Sequence, residues 1–195
     1  MDHKQLRFYC QTGNLKKIRE SLAELSPEQM AENLRGVFQM PLRPEVLEYL
    51  GAEMVRLPVD IGAPLLVDLL YSEEAATRNL GIELFSAYGQ DAMEVLRNHL
   101  NDLDEDVRLF AVQALSLIPA RHEVLQLLRA QCLVERDMNV LATIIEALGD
   151  LGTYAEDADA IRTIMRSLNH PYLEFVANRA LERLGSHAEP SALKL

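Results

Sequence analysis

The chain has 195 residues, 49% of them hydrophobic and 25% charged, which suits one globular domain or one short array and excludes a disordered or fibrous chain. Its 19 basic and 30 acidic residues give a formal charge of −11, which repels phosphate backbones and argues against nucleic acid as a partner. Cys10 and Cys132 are the only cysteines, too few for a disulfide framework or a cysteine zinc site. The start lacks the apolar core of a signal peptide and no apolar run reaches membrane-spanning length, so the expectation is a soluble, cytoplasmic protein with no membrane partner.

In chain order, residues 1–43 read as N-terminal capping helices, a degenerate repeat. Leu15, Ile18, Leu22 and Leu25 stripe one amphipathic helix; Met30, Leu34, Val37 and Phe38 stripe another. Between them, Ser26-Pro27-Glu28-Gln29 reads as an N-cap serine, a first-turn proline and a capping-box glutamine. Residues 1–25 carry a net charge of +2, leaving −13 for the rest.

From residue 44 a repeat takes over. The slots Val107, Phe110, Ala111, Ala114 and Leu115 recur 33 residues on as Val140, Thr143, Ile144, Ala147 and Leu148, and again as Leu173, Val176, Ala177, Ala180 and Leu181. Thirty residues back they are Thr77, Leu80, Gly81, Leu84 and Phe85, and thirty further back Leu47, Leu50, Gly51, Met54 and Val55. The spacing is the inward stripe of an α-helix. The third slot is small in four of five copies, which predicts close approach of a neighbouring helix there. A second helix set alternates with the first, striped by Leu65, Leu66, Leu69 and Leu70, then Ala92, Val95, Leu96 and Leu100, then Val124, Leu125, Leu127 and Leu128, then Ala160, Ile161, Ile164, Met165 and Leu168. Gly89, Pro119, Gly152 and Gly185 are expected just past helix ends, and Asp104, Asp137 and Asn169 near helix starts. A helix pair per 30 to 33 residues predicts an all-α solenoid of about six antiparallel pairs, with the array over 44–188 and a disordered tail over 189–195.

The run Leu100-Asn-Asp102-Leu-Asp104-Glu-Asp-Val107-Arg108-Leu-Phe-Ala111-Val-Gln-Ala114-Leu115 resembles a HEAT repeat. It is most similar to the short HEAT-like type of phycobilisome bilin lyases. The pattern there is a leucine helix, an Asp-containing turn, then Val-Arg and a spaced Ala and Leu. Segments 59–88, 121–151 and 155–185 match more loosely: Arg78 keeps the arginine, whereas Glu48, Leu141 and Glu174 replace it, and the turn aspartate is Ser72 and Glu135 in the neighbouring copies. The resemblance spans about three quarters of the chain and implies a right-handed HEAT/armadillo-like superhelix, a fold that hosts many roles.

Candidates for chemistry are sparse. No His-x-x-x-His occurs, and no histidine has a cysteine at ligand spacing, so no metal and no cofactor are expected. His122-Glu123 resembles half of one metal-binding dyad of deoxyhypusine hydroxylase; that enzyme needs several, and this chain has one. No nucleophile elbow or phosphate-binding glycine loop is present, and no catalytic residue is assigned. Cys10 lies near basic residues, which lower thiol pKa values, but it reads equally as packing at a helix end. The acids Glu146, Asp150, Glu156, Asp157 and Asp159 read either as a receiver for a basic peptide or weak cation, or as a solvated helix–turn.

In HEAT arrays the second helix of each pair lines the concave side, an orientation that the resemblance supplies. On that face Tyr49, Ile82, Leu109, Val112, Ile145 and Phe175 are apolar where solvated positions would be polar. They form either an exposed partner-binding ribbon, rimmed by acids and suited to a protein segment with basic flanks, or side chains buried between adjacent helices. The expected role is a non-catalytic interaction scaffold or adaptor. The alternatives are a bilin-lyase-like chromophore chaperone or lyase subunit, and a self-assembling structural component.

Overall fold

The computed structural model describes residues 3–152, 154–168 and 170–187. The helix start expected at Asn169 and the tail expected over 189–195 lie outside the described residues. No strand occurs among the described residues; the chain is a succession of helices, as the repeat spacing predicts.

Two compact units divide between Val95 and Leu96. The first holds α1 (His3–Thr12), α2 (Leu15–Leu22), α3 (Pro27–Val37), α4 (Pro44–Met54), α5 (Val59–Leu70) and α6 (Ala75–Tyr88), followed by a 3-10 turn over Gly89–Ala92. The division falls inside α7 (Met93–His99), and the second unit continues with α8 (Glu105–Leu117), α9 (Arg121–Val134), α10 (Met138–Leu151), α11 (Tyr154–Leu168) and α12 (Pro171–His187). Within the first unit α1, α3 and α5 pack in sequence as one layer, and α4 packs on α6 in the other. Within the second, α9 and α11 form one layer and α8, α10 and α12 the other, with α9–α10 and α11–α12 as hairpins. This two-layered stack of helical hairpins is an α-solenoid.

The ends of the helices follow their capping residues. Ser26 accepts a hydrogen bond from the Gln29 amide, and the Gln29 side chain accepts from the Ser26 amide, completing the capping box of α3. Asp104 and Asp137 cap α8 and α10 through their carboxylates. Gly89 ends α6 with φ of 57°, a conformation that favours glycine. Gly185 differs from its expected place: α12 runs on to His187, so this glycine lies within the helix.

The small slot marks where helices touch. Gly51, Gly81, Ala111, Ile144 and Ala177 are all buried. A Cβ on Gly81 would stand 2.9 Å from the Leu69 Cβ and 3.1 Å from the Leu66 carbonyl oxygen, so α5 and α6 approach at a distance only glycine permits. On Gly51 the nearest atom would be the Leu80 Cδ1 at 2.9 Å. The same device recurs where it was not foreseen: a Cβ on Gly149 would lie 2.7 Å from the Ala180 Cβ, bringing α10 and α12 together.

Two elements depart from the sequence pattern. Helix α1 carries no repeat slots, yet it buries Leu6 and Cys10 and packs on α2 and α3. In α4 the slots Leu50, Gly51 and Met54 are buried as expected, but Val46 is buried in place of Leu47, and Leu47 and Val55 are half-buried.

Candidate partner-binding surface

The concave ribbon does not form as one surface. Val112 and Ile145 are fully buried and Ile82 nearly so, while Leu109 and Tyr49 are half-covered. Only Phe175, 62% exposed, stands free, with the Arg179 guanidinium 5.9 Å from its ring centroid. The cause in the second unit is packing of α10 on both α8 and α12, which closes the flanks that the helix wheel left open. Helix α10 is accordingly apolar nearly all round, burying Val140, Leu141, Ala142, Ile144, Ile145, Ala147 and Leu148. Ile82, Val112 and Ile145 are therefore core residues rather than partner contacts. Tyr49 keeps its exposure because it borders a groove of about 500 Å³ lined by Leu22, Ala23, Met30 and Ala52, with Arg19 over its ring at 5.9 Å.

Several exposed apolar side chains lie instead at turns that join the two helices of a pair. Leu103, between α7 and α8, is 98% exposed; Leu133 and Val134, at the end of α9, are 52% and 58% exposed. Tyr172, at the start of α12, is half exposed. In sequence, Leu103 sits between two aspartates and off the inward stripe, a signal readable beforehand but not singled out.

These turns are fixed by a buried network that the repeat motif supplies. Arg108 Nη1 donates to the Asp102 carbonyl oxygen at 2.8 Å and to that of Leu103 at 3.4 Å, holding its own turn. Its Nε and Nη2 donate to the two Glu135 carboxylate oxygens of the next turn at 2.9 and 3.1 Å. Glu135 also accepts from the Arg136 and Asp137 amides at 2.8 and 2.9 Å, and from Gln131 Nε2, which further donates to the Leu100 carbonyl oxygen. Burial pushes the Glu135 carboxyl up, but Arg108 and the two amides outweigh it and hold it below the ordinary glutamate value. One guanidinium thus locks the Leu103 and Glu135 turns side by side. The aspartate-to-glutamate change in this turn slot gives the acid the reach to pair across repeats.

Both thiols are buried. Burial pushes the Cys10 thiol to about 11 and the Cys132 thiol to about 12, the opposite of nucleophile activation. Among the described residues no group of three or more His, Cys, Asp or Glu side chains gathers as a metal site, and no helix is long and apolar enough to cross a membrane. His122 lies exposed in the first turn of α9, its ring 3.1 Å from Gln126 Nε2. The acidic stretch after residue 146 is largely paired internally: Arg129 bridges Glu156 and the buried Asp157, Arg183 meets Asp150, and Arg162 meets Asp159.

Comparison with curated proteins finds no match. Among solved structures, an engineered protein whose crystal structure comes from the Northeast Structural Genomics Consortium aligns with a TM-score of 0.46 and 18% identity, over 95% of this chain and 98% of the other. Residues 93–185 match the family model of HEAT repeats. In its helical hairpins, its small-residue contacts and the turn held by Arg108, the segment 93–185 is similar to HEAT repeats.

Proposed function

We propose that this protein is a non-catalytic protein-interaction module whose contact surface is the edge formed by the intra-pair turns of the second unit. The observation that carries the reading is Leu103, almost wholly exposed yet held in place by the Arg108–Glu135 network beneath it. The backbone that carries this side chain is fixed in its turn, so presenting it to a partner orders little further main chain. Val134, beside Glu135, supplies a second anchor across the network.

The surroundings describe the partner. Asp102, Asp104, Glu105 and Asp106 bracket Leu103, so the fitting segment has apolar residues flanked by lysine or arginine. Phe175 and Leu109 add apolar area on α12 and α8. Purification of the protein with its partners from the native host, with Leu103→Asp/Val134→Asp as the comparison, tests this. The variant is expected to lose the partner while its helical circular dichroism is unchanged; retention of the same partner at the same yield refutes the edge as the contact surface.

A further inference from the structure

A second feature lies in the first unit, at the turn between α5 and α6. A groove of about 640 Å³, within the size range of ligand pockets, runs between this turn and the segment following α3. Its apolar lining is Phe38, Pro41, Leu69 and Tyr71, and Tyr71 is half exposed. Its charged lining is Asp68, Glu73 and Glu74 against the single guanidinium of Arg35.

That guanidinium is already engaged: Arg35 Nε donates to Asp68 Oδ2 at 2.7 Å and Nη1 to Glu32 at 3.3 Å. Glu74 stands at the N-cap of α6 but makes no side-chain capping bond, and the local turn is satisfied without it. The Glu74 amide donates to the Ser72 hydroxyl at 3.2 Å, and Arg78 Nη1 holds the Ser72 carbonyl oxygen at 2.8 Å. Among the described residues no cation lies at ion-pair distance from Glu73 or Glu74. The groove therefore offers two uncommitted carboxylates above an apolar floor and beside an aromatic face.

We infer that this groove receives an arginine side chain of a partner protein segment, its stem against Phe38 and Leu69, its guanidinium beside Tyr71 and facing Glu73 and Glu74. Arginine suits such a place because its planar cation stacks on an aromatic ring while its donors reach carboxylates. The inference rests on the reading of the chain as a protein-binding module but concerns a different surface from the Leu103 edge.

The test uses fluorescein-labelled peptides of alternating arginine and leucine, with glutamate–leucine peptides of equal length as the contrast, and reads fluorescence anisotropy on the full chain. The arginine peptide is expected to bind, and the glutamate peptide not. Glu73→Gln/Glu74→Gln is expected to weaken binding roughly tenfold, and Tyr71→Ala several-fold, both with unchanged circular dichroism. Glu83→Gln/Asp91→Asn, which removes equal charge from exposed positions outside both surfaces, is expected to leave affinity within about twofold. Equal losses in the two charge-matched variants would mean general attraction to an acidic protein and overturn the groove, as would binding of both peptides alike. The Leu103 edge, tested by native partners, stands or falls separately.

Discussion

Glu135→Ala probes the network on which the repeat edge depends. Its carboxylate is 4% exposed and pairs with an Arg108 side chain that is 16% exposed, so removal leaves a largely buried guanidinium without its paired carboxylate. It also deprives Gln131 and the Arg136 and Asp137 amides of their acceptor. Breaking one side of a buried pair costs about 3–5 kcal/mol. The partial exposure of Arg108 places this case near the lower end, about 3 kcal/mol, which for a chain of this size lowers Tm by roughly 6–12 °C. Urea denaturation followed by circular dichroism measures the loss, and Arg108→Ala with the double variant completes a cycle. The two losses should not add, because each single change strands the other partner. Acid provides a second readout. Since the folded Glu135 carboxyl lies below the ordinary value of 4.5, its stabilisation is present above that value and is lost as pH falls through the folded one. The advantage of the native chain over Glu135→Gln should therefore shrink on acidification. A loss under about 1 kcal/mol for Glu135→Ala, or additive single losses, would show that the pair is not coupled as its geometry requires.

Further outcomes follow from the packing. Gly81→Ala should destabilise by about 1–3 kcal/mol, because the new methyl meets the Leu69 Cβ and the Leu66 backbone oxygen, whereas Gly89→Ala meets no neighbour and should cost about 1–3 kcal/mol through its backbone conformation alone, φ 57° and ψ −136°. Tyr88→Phe removes the hydroxyl that donates to the Met54 carbonyl oxygen at 2.7 Å and should cost about 1 kcal/mol, read as a shift in denaturation midpoint at constant slope. Cys10 and Cys132 should resist alkylation at mildly alkaline pH until denaturant is added, since both thiols titrate far above it; rapid labelling of the native chain would contradict their burial.

The periodic residues carried the architecture. A small residue recurring at Gly51, Gly81 and Ala111, amid apolar positions at helical spacing, is intelligible only if hairpins stack, and all three are buried where the helices meet. Caps at Ser26, Asp104 and Asp137 were likewise local, because a cap forms within one turn of its own residue. Helix α1 shows in the sequence only as a helix end at Cys10, because two buried residues, Leu6 and Cys10, make too short a stripe to stand out.

Exposure was not local. Whether Val112 and Ile145 face a trough or a neighbour depends on how closely α8, α10 and α12 lie side by side, a distance set by packing between repeats rather than by any residue's own periodicity. The same holds for Glu135, whose role comes from Arg108 reaching it across 27 positions of sequence. The sequence by itself determined which faces are apolar and where the helices capped by Ser26, Asp104 and Asp137 begin. The tertiary structure decided which of those faces are spent on the next helix and which side chains, Leu103 and Val134 among them, stay exposed.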